Sequence, residues 1–166
     1  MMRFVLAATL SSNYGIYGPA FEQCVNEPME NNGKSEEYLH SEKYEIKDWK
    51  EEGNIQEFIG KINKIRKENL EFQTTYNLTF YEINNNDLLA YGKGARGHRI
   101  IIVVNLKPEQ PRFGMLRLPL ADMGIAPDQS FVVRDLITDV KYTWKGESNY
   151  VELLPDRAPA HIFRIE

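Results

Sequence analysis

The spacing of hydrophobic positions divides the chain into two unlike halves. Residues 1–73 contain apolar side chains at helical intervals, whereas residues 74–166 contain short apolar or alternating runs that are typical of strands. The clearest helix is predicted over residues 54–69, where Asn54 and Glu57 match the spacing of a capping box. Its apolar face carries a row of large side chains that we call the apolar stripe, namely Ile55, Phe58, Ile59, Ile62 and Ile65.

The N-terminal run, RFVLAATLSSNYGIYGP at residues 3–19, allows two interpretations. A secretory signal needs a basic start and an apolar core of about 7–15 residues. Arg3 is the only early basic residue, and the aromatic continuation at residues 14–17 suits a chain that enters a protein core. We therefore favour a buried helix end at residues 4–10 that leads into a buried strand at residues 14–17. No apolar run reaches the ~20 residues of a membrane helix, so no membrane segment is predicted.

The second half is predicted to form an antiparallel β-sandwich of short strands joined by turns. Residues 100–104 are a continuous β-branched run, as expected of a strand that is covered on both faces. Val140, Tyr142 and Trp144 alternate with polar residues, which places them on the core side. Pro119 marks residues 116–120 as an edge strand. Further strands are predicted at residues 78–83, 88–91, 150–153 and 161–165, and core residues at Ile102, Val104, Trp144 and Phe163.

Composition and charge narrow the classes of function. The chain has 166 residues, 42% of them hydrophobic, which suffices for one compact domain or for a small domain with an appendage. Its formal net charge of −4 gives no electrostatic footprint for nucleic acid or for an anionic membrane. The single cysteine, Cys24, excludes an internal disulfide and predicts a reducing cytoplasm.

A search for catalytic and cofactor motifs finds none in the required context. The glycines of GKGARG at residues 92–97 match the dinucleotide fingerprint G-x-G-x-x-G, but that motif needs a helix directly after it to hold the pyrophosphate. A β-branched run follows instead, so we interpret these glycines as part of a hairpin loop. His40, His98 and His161 lack metal-ligand spacing, and no metal or cofactor is predicted. The polar stretch at residues 26–49 is either disordered or functional.

Several stretches of the sequence resemble a known family. The chain is similar to the α-1,4-glucan:maltose-1-phosphate maltosyltransferases over essentially its whole length. The stretches that carry the similarity are LAATLSSNYGIYGPAFE, EEYLHSEKYEIKDW and YVELLPDRAPAHIFRIE. The order of elements also resembles the C-terminal end of α-amylase family enzymes, where a last barrel strand and a final helix lead into an antiparallel sandwich. The middle stretch distinguishes the maltosyltransferases, because other amylases do not carry SEKYEI there.

The resemblance implies an α+β fragment with two parts. Residues 1–73 would be the end of a (β/α)8 barrel, with its last strand and final helix, and residues 74–166 a C-terminal antiparallel β-sandwich. Lys43 and Tyr44 would line the donor pocket, where an ammonium can donate to sugar hydroxyls and a tyrosine offers a ring face and a phenol. By analogy, Tyr14 and Glu22 would border the mouth of the barrel.

The activity that the resemblance implies is the transfer of maltosyl units from α-maltose 1-phosphate to the non-reducing end of α-1,4-glucans, in a bacterial cytoplasm. Retaining chemistry of this kind needs a carboxylate nucleophile and a carboxylic acid set close together. In the family these residues lie on earlier barrel strands. We therefore expect the chain by itself to be inactive.

Two other functions are compatible with the sequence. One is a stand-alone carbohydrate-binding sandwich that uses Tyr142, Trp144 or Trp49, and the other is a structural module without a ligand. The alternation around Trp144 argues against a sugar platform there, because its ring lies on the core side. Without a complete barrel the apolar stripe would be exposed to water. Either the stripe folds back onto the sandwich, or a second copy of the chain covers it in a homodimer, and we favour the homodimer because the link at residues 70–76 is short.

Overall fold

The computed structural model describes residues 1–16, 18–24, 55–94 and 100–166. The chain forms two compact units, one of residues 1–14 with 61–166 and the other of residues 15–60. In the described residues the helices are α1 (Met2–Leu10), α2 (Gly18–Glu22), α3 (Gln56–Glu68) and α4 (Leu120–Met123), with a 3₁₀ turn at Leu70–Gln73. The strands are β1 (Leu78–Tyr81), β2 (Leu88–Lys93), β3 (Ile100–Asn105), β4 (Arg112–Arg117), β5 (Ser130–Asp135), β6 (Lys141–Lys145), β7 (Ser148–Leu153) and β8 (Ala160–Ile165).

The strands form the antiparallel sandwich that the sequence predicts. One sheet has six strands in the order β1-β2-β3-β8-β5-β6, and the other pairs β4 with β7. Every pair in both sheets is antiparallel. Since strands lie about 4.8 Å apart, the six-stranded sheet is several times wider than its partner. The core between them therefore also takes residues from the chain around α4, namely Leu118, Leu120 and Met123.

Strand β3 is buried on both faces, as its β-branched run predicts. Ile101 points into the core between the sheets, while the expected core residues Ile102 and Val104 point to the opposite face. That second face is covered by α1, which packs against β3. Thr9 Oγ1 of α1 lies 2.6 Å from Tyr91 Oη, the β2 residue paired with Ile102. Because a fully buried isoleucine contributes about 1.5–3 kcal/mol, this second face adds substantially to stability.

The apolar stripe of α3 is covered within a single chain. Ile59, Ile62 and Ile65 are buried, and Ile55 and Phe58 are half-buried. Residues 61–68 of the helix belong to the same compact unit as the sandwich. The stripe therefore gives no reason for a second copy to cover it.

Two segments differ from the predicted strands. Residues 14–16 form no strand, because a barrel strand needs parallel neighbours to pair with and the described residues contain none beside it. At the other segment, β4 ends at Arg117 and Pro119 precedes α4. Proline has no backbone N–H to donate to a neighbouring strand. The predicted strand at residues 116–120 therefore stops at Arg117, two residues before Pro119.

His161 joins the two sheets through both nitrogens of its ring. Nδ1 lies 2.9 Å from Oδ2 of Asp135 on β5, and Nε2 lies 2.8 Å from the carbonyl oxygen of Glu152 on β7. The carboxylate of Asp135 accepts further hydrogen bonds from the hydroxyl of Thr138 and from the backbone N–H groups of Ile137 and Ile162. A single imidazole thus connects β8 to a strand of each sheet.

These contacts bury a hydrogen-bonded pair between the sheets. The Glu152 carbonyl oxygen can only accept, so Nε2 of His161 donates to it, and Nδ1 shares a hydrogen bond with the Asp135 carboxyl. Both side chains of the pair are buried. Burial by itself would raise the pKa of Asp135, but the hydrogen bond and charge of His161, together with the bonds from Thr138 and Ile137, outweigh it and leave that pKa below its usual value.

The substitution Asp135→Asn should destabilise the sandwich by about 1–3 kcal/mol at pH 7, because the amide has one acceptor oxygen instead of two and leaves some of the buried donors that Asp135 satisfies unpaired. A carboxyl with a lowered folded pKa stabilises the fold above its unfolded pKa of about 3.9, and this contribution is lost as the pH falls through the folded pKa. The free energy of unfolding, measured in urea at pH 7 and pH 3, should therefore fall more steeply toward acid in the unsubstituted chain than in the variant.

The matched control is Asp139→Asn. Asp139 is exposed, pairs with Arg134 and has a φ of 68°, a conformation that asparagine tolerates. Its replacement should change stability little, since surface ion pairs contribute little. Equal losses in the two variants would contradict the central role of Asp135.

Gly92 provides space for the ring of a neighbouring tyrosine. Tyr81 pairs with Ala90, so it lies diagonally across from Gly92 on the same face of β1 and β2. A Cβ atom on Gly92 would lie 2.6 Å from Cζ of the buried Tyr81 ring. Gly92 thus belongs to a strand and not to the predicted hairpin loop, while Gly97 of the same motif lies outside the described residues.

Gly92→Ala should destabilise the fold by about 1–3 kcal/mol, because the packed Tyr81 ring must shift to admit a methyl group. Gly60→Ala is the control, since Gly60 lies on the exposed side of α3 with open space around its Cα. That change should raise stability by about 0.5–1 kcal/mol, through the better helix propensity of alanine. Thermal unfolding of both variants measures the difference, and a Gly92 variant as stable as the Gly60 variant would refute the packing argument.

Candidate functional site

The residues predicted to bind the donor sugar lie outside the described residues. Lys43 and Tyr44 both fall in the segment 25–54, so their role stays a prediction. Among the residues that the structure describes, no group of three or more histidines, cysteines or carboxylates could hold a metal ion. Nor is any described helix both long and apolar enough to cross a membrane. The strand β3 directly follows the GKGARG segment, which excludes the helix that a dinucleotide fingerprint needs.

Tyr14, which was expected at the barrel mouth, belongs to a cluster around the end of α1. Its hydroxyl donates to Oδ1 of Asn63, and its ring lies edge-on to Phe4, with centroids 5.5 Å apart. The guanidinium carbon of Arg66 lies 5.0 Å from the centre of the Tyr14 ring. These contacts give Tyr14 a structural role. Glu22 is the last residue of α2, and its carbonyl accepts from the N–H of Ile55 at 2.9 Å.

Arg66 satisfies carbonyl groups that α1 leaves without partners. Its guanidinium donates to the carbonyl oxygens of Ala8, Ser11 and Ser12, the last at 2.7 Å. The final carbonyls of a helix have no partner within the helix and carry partial negative charge, so a cation is favourable there. Burial lowers the pKa of Arg66, and Tyr14 opposes that effect. The guanidinium thus holds α3 to the end of α1.

A second buried cation, Lys93, lies at the end of β2. Its Nζ donates to the carbonyl oxygen of Thr74 at 2.7 Å, and the residue is fully buried. Burial lowers the pKa of Lys93, and the positive charge of Arg66 lowers it further. In the part of the chain that the structure describes, neither cation has a carboxylate partner, and both are held by backbone carbonyl groups.

A cavity of about 460 Å³ opens between the two sheets beside β6. Its lining comes from β6, β7, the inner face of β8 and the loop that joins β7 to β8. A volume of this size lies within the range of about 300–1,000 Å³ that is typical of ligand pockets. We call this space the intersheet cavity.

Aromatic rings form the inner wall of the intersheet cavity. Phe163 is stacked by His161, with centroids 4.8 Å apart, and contacted edge-on by Trp144 at 5.0 Å and by Tyr142 at 5.9 Å. Trp144 is 6% exposed and Tyr142 is 38% exposed. The predicted core-side alternation of β6 therefore gives the correct direction of Val140, Tyr142 and Trp144, but only Trp144 is covered.

Several polar groups at the intersheet cavity have no partner among the residues that the structure describes. In the described part of the chain, the indole N–H of Trp144 and the hydroxyl of Tyr142 form no hydrogen bond, and the guanidinium of Arg157 forms neither a hydrogen bond nor an ion pair. Tyr150 Oη lies 3.5 Å from Oε1 of Glu152. Burial raises the pKa of Tyr142, the charge of Asp135 adds to this, and that of Arg157 opposes it.

Sequence reasoning did not identify this cavity. Arg157 lies in YVELLPDRAPAH, a stretch whose letters show only the resemblance to the family. The available signals were Tyr142 and Trp144, which the alternative of a carbohydrate-binding sandwich names, and Tyr150 on the next strand.

Comparison with known proteins gives the family of the chain. The model of the family described as "GLGE, C-terminal" matches residues 80–165, about half of the chain. The α-1,4-glucan:maltose-1-phosphate maltosyltransferase of Methylacidiphilum infernorum is 51% identical over 168 residues, which cover 99% of this chain and 25% of that protein. The protein of the same description from Salinibacter ruber is 44% identical over 166 residues, with 99% and 24% covered. The chain thus spans about a quarter of the length of the curated relatives it matches.

Solved structures agree on the fold. The maltogenic α-amylase AmyB from Thermotoga neapolitana aligns with a TM-score of 0.54 at 15% identity, over 70% of this chain and 27% of that one. The α-amylase from Geobacillus thermoleovorans aligns with a TM-score of 0.53 at 13% identity, over 72% and 24%. At these identities the likeness concerns the fold alone. The family model over residues 80–165, together with relatives that are 51% and 44% identical over 99% of the chain, shows that the chain belongs to the C-terminal family of the α-1,4-glucan:maltose-1-phosphate maltosyltransferases.

Proposed function

We propose that this chain is the C-terminal part of a retaining enzyme that transfers maltosyl units from α-maltose 1-phosphate to the non-reducing end of α-1,4-glucans. The observation that carries the proposal is the identity of 51% over 99% of the chain to a maltosyltransferase. That similarity extends beyond the sandwich matched by the family model into residues 1–79. It therefore includes the SEKY segment that distinguishes maltosyltransferases in the sequence.

The proposal divides the enzyme's work between regions. Residues 1–73 would complete the end of a (β/α)8 barrel, with the division from the sandwich at residue 74. Lys43 and Tyr44 would contribute to the donor pocket, while the paired carboxylates of retaining chemistry would come from the barrel strands that the family places earlier. The substrates would be maltose 1-phosphate and an α-1,4-glucan.

Two further expectations belong to the proposal. A cytoplasmic location follows from the single cysteine, Cys24, which fits a reducing compartment. A homodimer stays a prediction of the sequence. Its original reason was an exposed apolar stripe, and the burial of Ile59, Ile62 and Ile65 within one chain removes that reason.

A chimera tests the proposal directly. When this chain replaces the matching quarter of the Methylacidiphilum infernorum protein, the product should release phosphate from maltose 1-phosphate in the presence of an α-glucan acceptor. The 166-residue chain by itself should release none, because it would lack the catalytic carboxylates. A folded but inactive chimera would contradict the proposal, and phosphate release by the chain alone would show that the essential carboxylates are present in it.

Within an active chimera, Lys43→Ala should raise KM for maltose 1-phosphate about tenfold to a hundredfold with kcat nearly unchanged. A hydrogen bond from a charged donor contributes about 1.5–3 kcal/mol, and its loss in both ground and transition states appears in KM. Lys47→Ala removes the same charge four residues away and should leave KM unchanged. Equal kinetics for the Lys43 variant and the parent chimera would remove Lys43 from the donor pocket.

A further inference from the structure

We propose that the intersheet cavity binds a segment of α-glucan chain, at a site separate from the donor pocket. The identity of the glucan rests on the proposed function, whereas the existence of the site rests on the geometry of the cavity. All of its lining residues lie between residues 138 and 163, in the sandwich. Neither Lys43 nor Tyr44 belongs to it.

The cavity exists because the two sheets have different widths. β6 is the outermost strand of the six-stranded sheet, and the opposite sheet has only β4 and β7. The inward-facing residues lose their cover along β6 and the residue before it, from Trp144 at 6% exposed to Tyr142 at 38% and Val140 at 46%. An apolar, partly aromatic wall is thus open to solvent inside a concave space.

The aromatic side chains suit a sugar ring. A hexose presents C–H groups on its faces and hydroxyl groups around its edge, so it binds where an aromatic surface lies beside hydrogen-bonding groups. Tyr142 lines the cavity and is 38% exposed, and Tyr150, which is 55% exposed and alternates with the core residue Val151 on β7, borders it. Each offers an apolar ring with a polar hydroxyl, a combination that is favourable where one side of a contact is apolar and the other is wet.

The polar groups of the cavity can form hydrogen bonds with the hydroxyl groups of a sugar. The indole N–H of Trp144 can only donate, and the guanidinium of Arg157 offers several donors in a plane. The Tyr142 hydroxyl can both donate and accept. Because these groups are not saturated by the described protein, a ligand can use them without breaking existing bonds.

The charges favour a neutral ligand. Arg157 and Glu152 both border the cavity and carry opposite charges. Both nitrogens of the His161 ring are already hydrogen-bonded within the protein. An anion would be attracted by Arg157 but repelled by the nearby Glu152, and a purely apolar ligand would leave the polar groups unpaired. A neutral, hydroxyl-rich ligand satisfies both conditions.

Titration of the 166-residue chain with maltoheptaose, followed by NMR chemical shifts and by calorimetry, tests the proposal. We expect saturable binding with shifts at the Trp144 indole N–H. Tyr142→Ala and Arg157→Ala should each weaken binding at least tenfold. Both residues are partly or fully exposed, so the variants are expected to fold, which circular dichroism can check. Trp144→Phe keeps a ring but removes the N–H, and it should weaken binding while retaining the fold.

The controls lie outside the cavity. Tyr76→Ala removes a tyrosine that is 98% exposed. Lys145→Ala removes a cation from the outward face of the same strand, β6. Both variants should bind maltoheptaose like the unsubstituted chain. Cellohexaose, the β-linked analogue, should bind at least tenfold more weakly.

Three results would overturn the proposal. They are the absence of maltoheptaose binding, equal binding of cellohexaose, and binding that is lost in Lys43→Ala but unchanged in Tyr142→Ala and Arg157→Ala. The assay needs no maltosyl transfer, so its failure is distinguishable from failure of the chimera. An active chimera with no binding at the cavity would leave the proposed function intact and refute only this inference.

Discussion

His161 holds the narrow sheet against the wide one, and the arrangement of the sandwich depends on that contact. β4 and β7 pair only with each other in the described chain, apart from an isolated bridge between Ile83 and Leu116. On the β8 side, the connection is the hydrogen bond from His161 to the carbonyl oxygen of Glu152. The hydrogen bond between the other ring nitrogen and Asp135 orients the imidazole for this contact. The buried pair of His161 and Asp135 thus links the two sheets at the wall of the cavity.

The contacts of His161 also position the aromatic side chains beside it. His161 stacks on Phe163, which in turn contacts Trp144 and Tyr142, so the buried pair and the aromatic wall form one packed layer. Beyond that layer the narrow sheet ends, and Tyr142 and the exposed groups of the β7–β8 loop remain open. The position of the intersheet cavity is therefore a consequence of how the two sheets are joined.

On the other face of the wide sheet, two buried cations donate to backbone carbonyl groups instead of pairing with described carboxylates. Arg66 and Lys93 both donate to backbone carbonyls, and Arg66 completes the C-terminal end of α1. Such groups fix the helices by geometry, since a guanidinium fork needs its acceptors at set positions. Arg66 thus joins α3 to the end of α1, and Lys93 joins β2 to the segment that precedes β1.

Much of the sandwich was predictable, because the alternation and the β-branched runs that indicate strands are visible in short stretches of sequence. The β-branched run of β3 predicts burial on both faces, and the structure confirms it with Ile101 on one side and Ile102 on the other. Residues 14–16 failed as a strand for the converse reason. Their apolar character is local, but a parallel strand exists only through neighbours that the described chain does not provide.

In the candidate site, too, the local sequence determines some features and the tertiary structure determines the others. The period of β6 determined by itself that Val140, Tyr142 and Trp144 share the inward side. Which of the three is covered was decided only by the tertiary structure, because cover depends on the width of the opposite sheet. Likewise, no spacing in the sequence links His161 to Asp135, 26 residues earlier, or brings Arg157 to the cavity that Tyr142 lines. A local pattern records how each residue points relative to its neighbours in the chain, whereas a site needs the distances between strands, which only packing sets.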